Sequence, residues 1–110
     1  MKFLCLAYGA EAGWNELSKS EQGALLAQDD RLRARGDVVA AVEQTPITVT
    51  AWSGTPVTRE RAFAHFDVPL AGFAIVEAAS LDEAIELVAK TPCARAKGAI
   101  ELRPISTINI

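Results

Sequence analysis

The chain has 110 residues, of which 50% are hydrophobic and 23% are charged, with a formal net charge of −3 at pH 7. This balance is typical of a globular protein, and the length suits a single domain, residues 1–110. No run of Lys and Arg exceeds two residues, which argues against a nucleic-acid-binding surface and against a basic helix for anionic membranes.

The opening stretch MKFLCLAY predicts a β-strand over residues 2 to 8. It is apolar on both faces, which favours a central position in a sheet. The apolar run is too short for a secretory signal or a membrane span, so we expect a cytoplasmic protein. Residues 9 to 15, which carry Trp14, are predicted to form a loop.

A first helix is marked at both of its ends. Ser18 and Glu21 have the spacing of a capping box, and the helix that they open runs to about Arg35. Gly36 then lies where a left-handed C-terminal cap is expected. A short apolar strand over residues 38 to 42 follows.

A β-hairpin is predicted next. Residues 47 to 52 alternate apolar and polar side chains, residues 53 to 55 form a turn, and residues 56 to 63 pair back. The second arm is polar, which is typical of an edge or solvent-facing hairpin. Residues 70 to 76 predict a second buried strand, in which Gly72 leaves room for another backbone or side chain to approach.

A second helix opens at Ser80 and Glu83, whose capping box we expect to be stronger than the first, and it ends at Thr91-Pro92. Its apolar residues have the spacing of a one-sided amphipathic helix: Leu81, Ala84, Ile85, Val88 and Ala89. The last strand is predicted over residues 98 to 102, with an apolar tail over residues 105 to 110.

The order of these elements is β-α-β, hairpin, β-α-β. It predicts an α+β fold, namely a ferredoxin-like βαββαβ sandwich with an inserted β-hairpin and both helices on one face of the sheet. Because the buried strands are apolar on both sides, the opposite face needs a cover, and in so small a chain the obvious cover is a second copy. We therefore predict a homodimer with its two sheets packed face to face.

This order, together with several short motifs, resembles the YCII-related proteins and in particular their DGPF-type branch. The opening KFLCLAYG resembles the start of that family, and four later motifs follow in the same order: Gly72-Phe73, Asp82-Glu83-Ala84, Pro92-Cys93 and Glu101-Leu102-Arg103-Pro104. The resemblance spans nearly the whole chain. It implies a small, cytoplasmic, dimeric α+β barrel, usually of unknown function and sometimes with a His/Asp pair in a cleft as a proposed enzymatic site.

The branch is named for an Asp-Gly-Pro-Phe motif that ends the inserted hairpin. Counted back from Gly72-Phe73, the motif falls on residues 60 to 63, where Phe63 matches and Glu60 keeps a carboxylate at the acidic position. The resemblance thus implies Glu60 as an active-site acid, although the turn that glycine and proline enforce is not specified here. A histidine in the first helix region of YCII proteins outside this branch has no counterpart in this sequence, and His65 lies elsewhere.

His65, the only histidine, and Asp67 form the candidate catalytic pair that the residues themselves suggest. In an extended segment two residues separated by one face the same way, so the carboxylate can orient the imidazole for acid/base chemistry. The alternative is that residues 64 to 69 form an ordinary loop in which both side chains are solvated.

Further polar and aromatic side chains are candidates for a pocket that takes a small anionic or aromatic molecule: Tyr8, Trp52, Arg61 and Arg103. The alternatives are that Trp52 packs at a dimer seam and that Arg103 pairs with a glutamate across strands. The sequence has no phosphate loop, nucleophile elbow or CxxC pair, and we expect neither a metal nor a cofactor.

Two functions remain open from the sequence. The first is binding of a small molecule in a cleft between the sheet and the inserted hairpin, which includes the possibility of a cofactor-independent enzyme. The second is a non-catalytic dimeric module for assembly or for partner proteins. A closed apolar cavity that holds Glu60, His65 or Arg103 favours the first, whereas a solid dimer seam with those residues in solvent favours the second.

Overall fold

The computed structural model of the protein describes residues 1–106. Within this range the elements are β1 (Lys2–Tyr8), α1 (Glu11–Asn15), α2 (Lys19–Ala34), β2 (Val38–Ala41), β3 (Thr48–Thr50), β4 (Val57–Arg59), β5 (Leu70–Glu77), α3 (Leu81–Val88), α4 (Pro92–Arg95) and β6 (Ala99–Pro104). The apolar tail predicted over residues 105 to 110 lies for the most part outside the described residues.

Four strands form one antiparallel sheet in the spatial order β2-β5-β1-β6, and β3 pairs with β4 in a separate two-stranded ribbon. This order, with helical connections before and after the inserted ribbon, is the ferredoxin-like α+β fold that the order of elements predicts. The prediction of the fold is confirmed. Within residues 1–106 the sheet is open and closes no barrel.

The hydrophobic core lies between one face of the sheet and the helices. Phe3 and Cys5 of β1 and Val76 of β5 are at most 2% exposed. Three residues from α2 and α3 pack against this face of the sheet: Leu32, Ala84 and Val88. Burial of these side chains is what holds the helices on the sheet, since each removes apolar surface from water.

The opposite face of the sheet carries a second apolar set. Strand alternation and the register of pairing place there Leu4 and Leu6 of β1, Phe73 and Ile75 of β5, and Val38 and Ala40 of β2. Most of these side chains are half-buried in the single chain, and Val38 is 49% exposed. The homodimer that would cover this face stays a prediction.

The cap at the start of α2 is complete. The Glu21 backbone N–H donates to the Ser18 hydroxyl at 3.1 Å, and the Ser18 backbone N–H donates to the Glu21 carboxylate at 3.1 Å. At α3 the Glu83 N–H donates to the Ser80 hydroxyl at 3.2 Å, but the exposed Glu83 side chain does not accept in return. The expectation that the second box is the stronger one is therefore wrong.

Replacing Ser18 with alanine is expected to lower the free energy of unfolding by about 1 kcal/mol, because the Glu21 N–H loses its hydroxyl acceptor. Hydrogen bonds from Ser18 also lower the pKa of Glu21. The contribution of this carboxylate is therefore present at neutral pH and is lost as the pH falls through the acidic range. Urea unfolding at neutral pH measures the change, and Ser20→Ala, an exposed position in the same helix turn, is the control that should alter stability little.

Several local predictions differ from the structure. Residues 11 to 15 form the short helix α1 rather than a loop, and no side chain caps it, so no cap signal marks it in the sequence. α3 ends at Val88, three residues before the predicted stop at Thr91-Pro92. Pro92 instead starts α4, where its missing N–H costs no hydrogen bond. The strands of the hairpin are three residues each, shorter than predicted, because a two-stranded ribbon outside the core is stabilised by little besides its own pairing.

The apolar face predicted for α3 is only partly covered. Ala84 and Val88 are buried against the sheet, whereas Leu81 and Ile85 are 48% and 47% exposed. The described helices include none long and apolar enough to cross a membrane.

Candidate ligand-binding site

The inserted hairpin stands apart from the main sheet. β3 and β4 pair with Thr48 opposite Arg59, and the turn is closed by the Gly54 N–H, which donates to the Ala51 carbonyl at 2.9 Å. Gly54 has φ of 92°, a left-handed conformation that glycine adopts without steric cost. The indole of Trp52 near the turn is 92% exposed. The hairpin thus presents an aromatic side chain to solvent.

A cleft of about 790 Å³ lies between the hairpin, the segments that flank it and the end of β1; we call it the hairpin cleft. Most of its larger side chains are apolar or aromatic, with one imidazole and one carboxylate: Tyr8, Val42, Glu43, Ile47, Phe63, His65, Phe66 and Leu70. The Tyr8 and Phe66 rings form a tilted pair with centroids 5.0 Å apart. The Gly9 N–H donates to the Pro69 carbonyl at 3.0 Å, which ties the segment after the hairpin to the end of β1.

A second cavity of about 470 Å³ lies on the hairpin itself; we call it the basic pocket. Its walls carry two guanidinium groups, Arg59 and Arg61, beside the exposed indole of Trp52. Among the described residues no Asp or Glu lines it. The Thr48 hydroxyl donates to the Arg61 carbonyl, which holds the segment after β4 against β3. The pocket therefore combines positive charge with an aromatic surface.

His65 lines both the hairpin cleft and the basic pocket, and so does Phe63. Of the predicted site residues, Tyr8 shares the hairpin cleft with His65, while Trp52 and Arg61 share the basic pocket with it. The structure therefore brings four predicted residues around one exposed segment.

Three predicted residues line neither cavity. Glu60 and Asp67 are exposed, and within residues 1–106 no hydrogen bond or ion pair joins His65 to Asp67. Arg103 lies on β6, where its guanidinium donates to Glu101 at 2.7 Å. This hydrogen bond and the charge of Glu101 raise the pKa of Arg103. Arg103 thus has a glutamate partner, two residues away on its own strand.

A third cavity, of about 270 Å³, lies on the other side of the molecule between the helix-facing side of the sheet and helices α2 and α4. We call it the helix–sheet cavity. Four titratable side chains line it: the buried Cys5 of β1, the half-buried Asp29 and the exposed Arg33 of α2, and the half-buried Cys93 of α4. Burial raises the pKa of Asp29, and burial together with the charge of Asp29 raises the pKa of Cys93. It shares no lining residue with the hairpin cleft or the basic pocket.

A metal site is not formed by the part of the chain that the structure describes. Residues 1–106 contain no group of three or more His, Cys, Asp and Glu side chains placed to hold a metal ion.

The family model for the YCII-related domain matches residues 1–109 of the chain. The chain belongs to the YCII-related domain family. A solved structure similar to this YCII-related domain is 5-chloro-2-hydroxyhydroquinone dehydrochlorinase from Burkholderia phenoliruptrix AC1100, in complex with 2,5-dihydroxybenzoquinone. It is 21% identical, with a TM-score of 0.49, and the alignment covers 96% of this chain and 94% of that one. No curated protein matches the chain.

In this YCII-related domain the residues at the position of the Asp-Gly-Pro-Phe motif, 60 to 63, follow directly after β4. All four are exposed, and the Phe63 ring is 81% exposed. Sequence reasoning identified this segment and its aromatic residues as a candidate site but missed the helix–sheet cavity. The sequence feature that could have indicated this cavity is a series of small residues on the core face of the strands: Ala7, Ala41, Gly72 and Ala74.

Proposed function

We propose that this YCII-related domain binds a small anionic molecule with an aromatic or apolar part where the hairpin cleft and the basic pocket meet. The observation that carries the proposal is the position of His65 and Phe63, which line both cavities. A ligand held there contacts the imidazole, an exposed ring and the guanidinium groups of Arg59 and Arg61 together. Pockets that combine apolar walls with a few convergent polar groups are typical of small-molecule sites.

The charges favour an anion. Within the described residues neither Arg59 nor Arg61 has a carboxylate partner, and no acidic side chain lines the basic pocket. A carboxylate or a similar planar anion can accept two parallel hydrogen bonds from one guanidinium. The large exposed rings of Phe63 and Phe66, 81% and 53% exposed, supply apolar surface that a ligand would remove from water.

We extend the proposal to catalysis without a bound cofactor, in which His65 is the general acid or base. Asp67, two residues on, would orient the imidazole, and Glu60 would be a second acid, once a ligand draws the exposed segment together. The separation of His65 from Asp67 in the free chain is compatible with this role, because catalytic hydrogen bonds often tighten only in the complex.

The binding proposal is tested with benzoate as probe, by Trp52 fluorescence in a Trp14→Phe background that leaves one indole. The titration of this protein should saturate, and Arg61→Gln should weaken binding about tenfold, because one charge-assisted hydrogen bond is lost. Arg31→Gln, an exposed position on α2, removes the same charge away from the cavities and should change nothing. Equal loss in both variants would mean that only the overall charge matters, which contradicts a site at the hairpin.

The catalytic extension has a separate test. Once a substrate is known, His65→Gln should lower kcat by about a hundredfold or more. The same variant should change the affinity for the ligand less, because the arginines of the basic pocket still bind it. Unchanged turnover in this variant would leave His65 as a solvated loop residue.

A non-catalytic homodimeric module is the second candidate, and the observation that favours it is the apolar open face of the sheet. We propose that two copies pack these faces together, and that the protein works in the cytoplasm. The two candidates do not exclude one another, since a dimer can also hold a ligand beside the hairpin.

A further inference from the structure

The helix–sheet cavity opens to solvent and extends down to the core face of the sheet. Its volume is about 270 Å³, whereas a cavity of about 150 Å³ already admits a benzene-sized molecule. The cavity is therefore large enough for a ligand, and its lining residues explain why this volume is not filled.

The space exists because the strands below the helices present small side chains. Ala7 of β1, Ala41 of β2 and Ala74 of β5 form part of the floor, and Gly72 adds no side chain. A Cβ atom at Gly72 would lie 2.5 Å from the Ala40 carbonyl oxygen, so the β2–β5 pairing itself keeps this position bare. The exposed residues Ala41 and Leu26 stand where the cavity meets solvent, which gives a ligand a way in.

The polar groups of the cavity define what it can accept. Arg33 also lines the cavity, but its guanidinium is already engaged, at 3.0 Å from Asp30 and donating to the Val39 carbonyl at 3.4 Å. Within residues 1–106 the Asp29 carboxylate has no ion-pair partner and remains a free acceptor. Cys93 stays a neutral thiol at pH 7, because its pKa is raised above the ordinary range of cysteine.

We propose that the helix–sheet cavity is a second binding site, which takes a neutral, ring-sized apolar molecule whose hydrogen-bond donor faces Asp29. The apolar body lies against the small side chains of the sheet and against Val88 and Ile100. The half-buried Asp29 carboxylate has lost part of its hydration, and a donor from the ligand replaces the lost hydrogen bonds. The same carboxylate repels anions, so this site selects against the ligand class proposed for the basic pocket.

The test uses phenol and toluene as probes, because they have nearly the same shape and differ in one hydroxyl group. Methyl-resolved NMR titration of the whole chain should shift the methyl signals of Ala7, Val88 and Ile100, and leave Ile47 and Val42 of the hairpin cleft unchanged. Phenol should bind more tightly than toluene. Shifts confined to the hairpin cleft, or no shifts at millimolar concentrations of the probe, would overturn the proposal. Either outcome is independent of the benzoate titration, which tests the basic pocket.

Two variants test the named groups. Asp29→Asn should weaken phenol binding about fivefold and leave toluene unchanged, since a charged acceptor becomes a neutral one. Asp82→Asn, an exposed position on α3 outside the cavity, makes the same change of charge and should leave both probes unchanged. Equal phenol affinity in the Asp29→Asn and Asp82→Asn variants would refute the role of Asp29.

A third variant tests the space itself. Ala7→Leu should fill the cavity and abolish binding of both probes, and Ala7→Val, a smaller change, should weaken them if the leucine variant does not fold. Retained binding in a folded Ala7 variant would contradict the site, because Ala7 lies on its floor.

Discussion

Replacement of Gly98 with alanine is expected to destabilise the domain by about 3 kcal/mol, at the upper end for overpacking. A Cβ atom at this position would overlap the Tyr8 carbonyl oxygen and would lie 2.8 Å from the Cys93 carbonyl oxygen. Both are backbone atoms, so no change of rotamer relieves the overlap. The Gly98 N–H also donates to the Cys93 carbonyl at 3.0 Å. The residue thus fixes the junction of α4 and β6 against the end of β1.

The matched control is the same substitution at Gly23 in α2. No atom lies within 4 Å of a Cβ built at Gly23, and the position is exposed. Gly23→Ala should therefore raise the free energy of unfolding by about 0.5–1 kcal/mol, because alanine loses less backbone entropy in a helix. Urea unfolding at one fixed protein concentration measures both variants. A Gly98→Ala variant as stable as the parent protein would contradict the prediction, because it would show that the backbone around residue 98 can move to accept a Cβ atom at little cost.

Local chemistry explains why much of the fold could be predicted. The capping residues Ser18 and Glu21 interact with each other three residues apart, so their spacing alone marks the start of α2. Gly36 takes the left-handed conformation, with φ of 99°, that a helix end requires. The buried strands are long apolar runs. These signals depend on neighbours in the sequence, and they fixed the order of elements from which the topology follows.

The sites depend on residues that are distant in the sequence, and here prediction reached less far. Tyr8 and Phe66 meet because residues 64 to 69 fold back over the end of β1, which no local pattern encodes. The helix–sheet cavity requires the register of four strands as well as the placement of α2 and α4. Asp29 is half-buried whereas its neighbour Asp30 is exposed, and their identical side chains give no sign of this difference.

Replacement of Leu6 with lysine is expected to leave the chain folded and to convert the proposed homodimer into a monomer. Leu6 lies on the open apolar face, beside Phe73 on β5 and opposite Glu101 on β6. In the single chain the new ammonium can share the Glu101 carboxylate with Arg103 across the strands, so the fold should lose little. In a face-to-face dimer the same group would be buried between two sheets, and burying a charge among apolar side chains costs several kcal/mol.

Symmetry enlarges this effect, because a twofold interface contains each substitution twice. Light scattering at micromolar concentration should give twice the 11.7 kDa mass of the chain for the parent protein, and the single mass for Leu6→Lys. Ile85→Lys is the matched control, since Ile85 is 47% exposed but lies on α3, across the sheet from the open face. It should leave the dimer intact. A single-chain mass for the parent protein would contradict the homodimer. Dissociation by Ile85→Lys but not by Leu6→Lys would mean that the dimer forms through the exposed side of α3 instead of the open face.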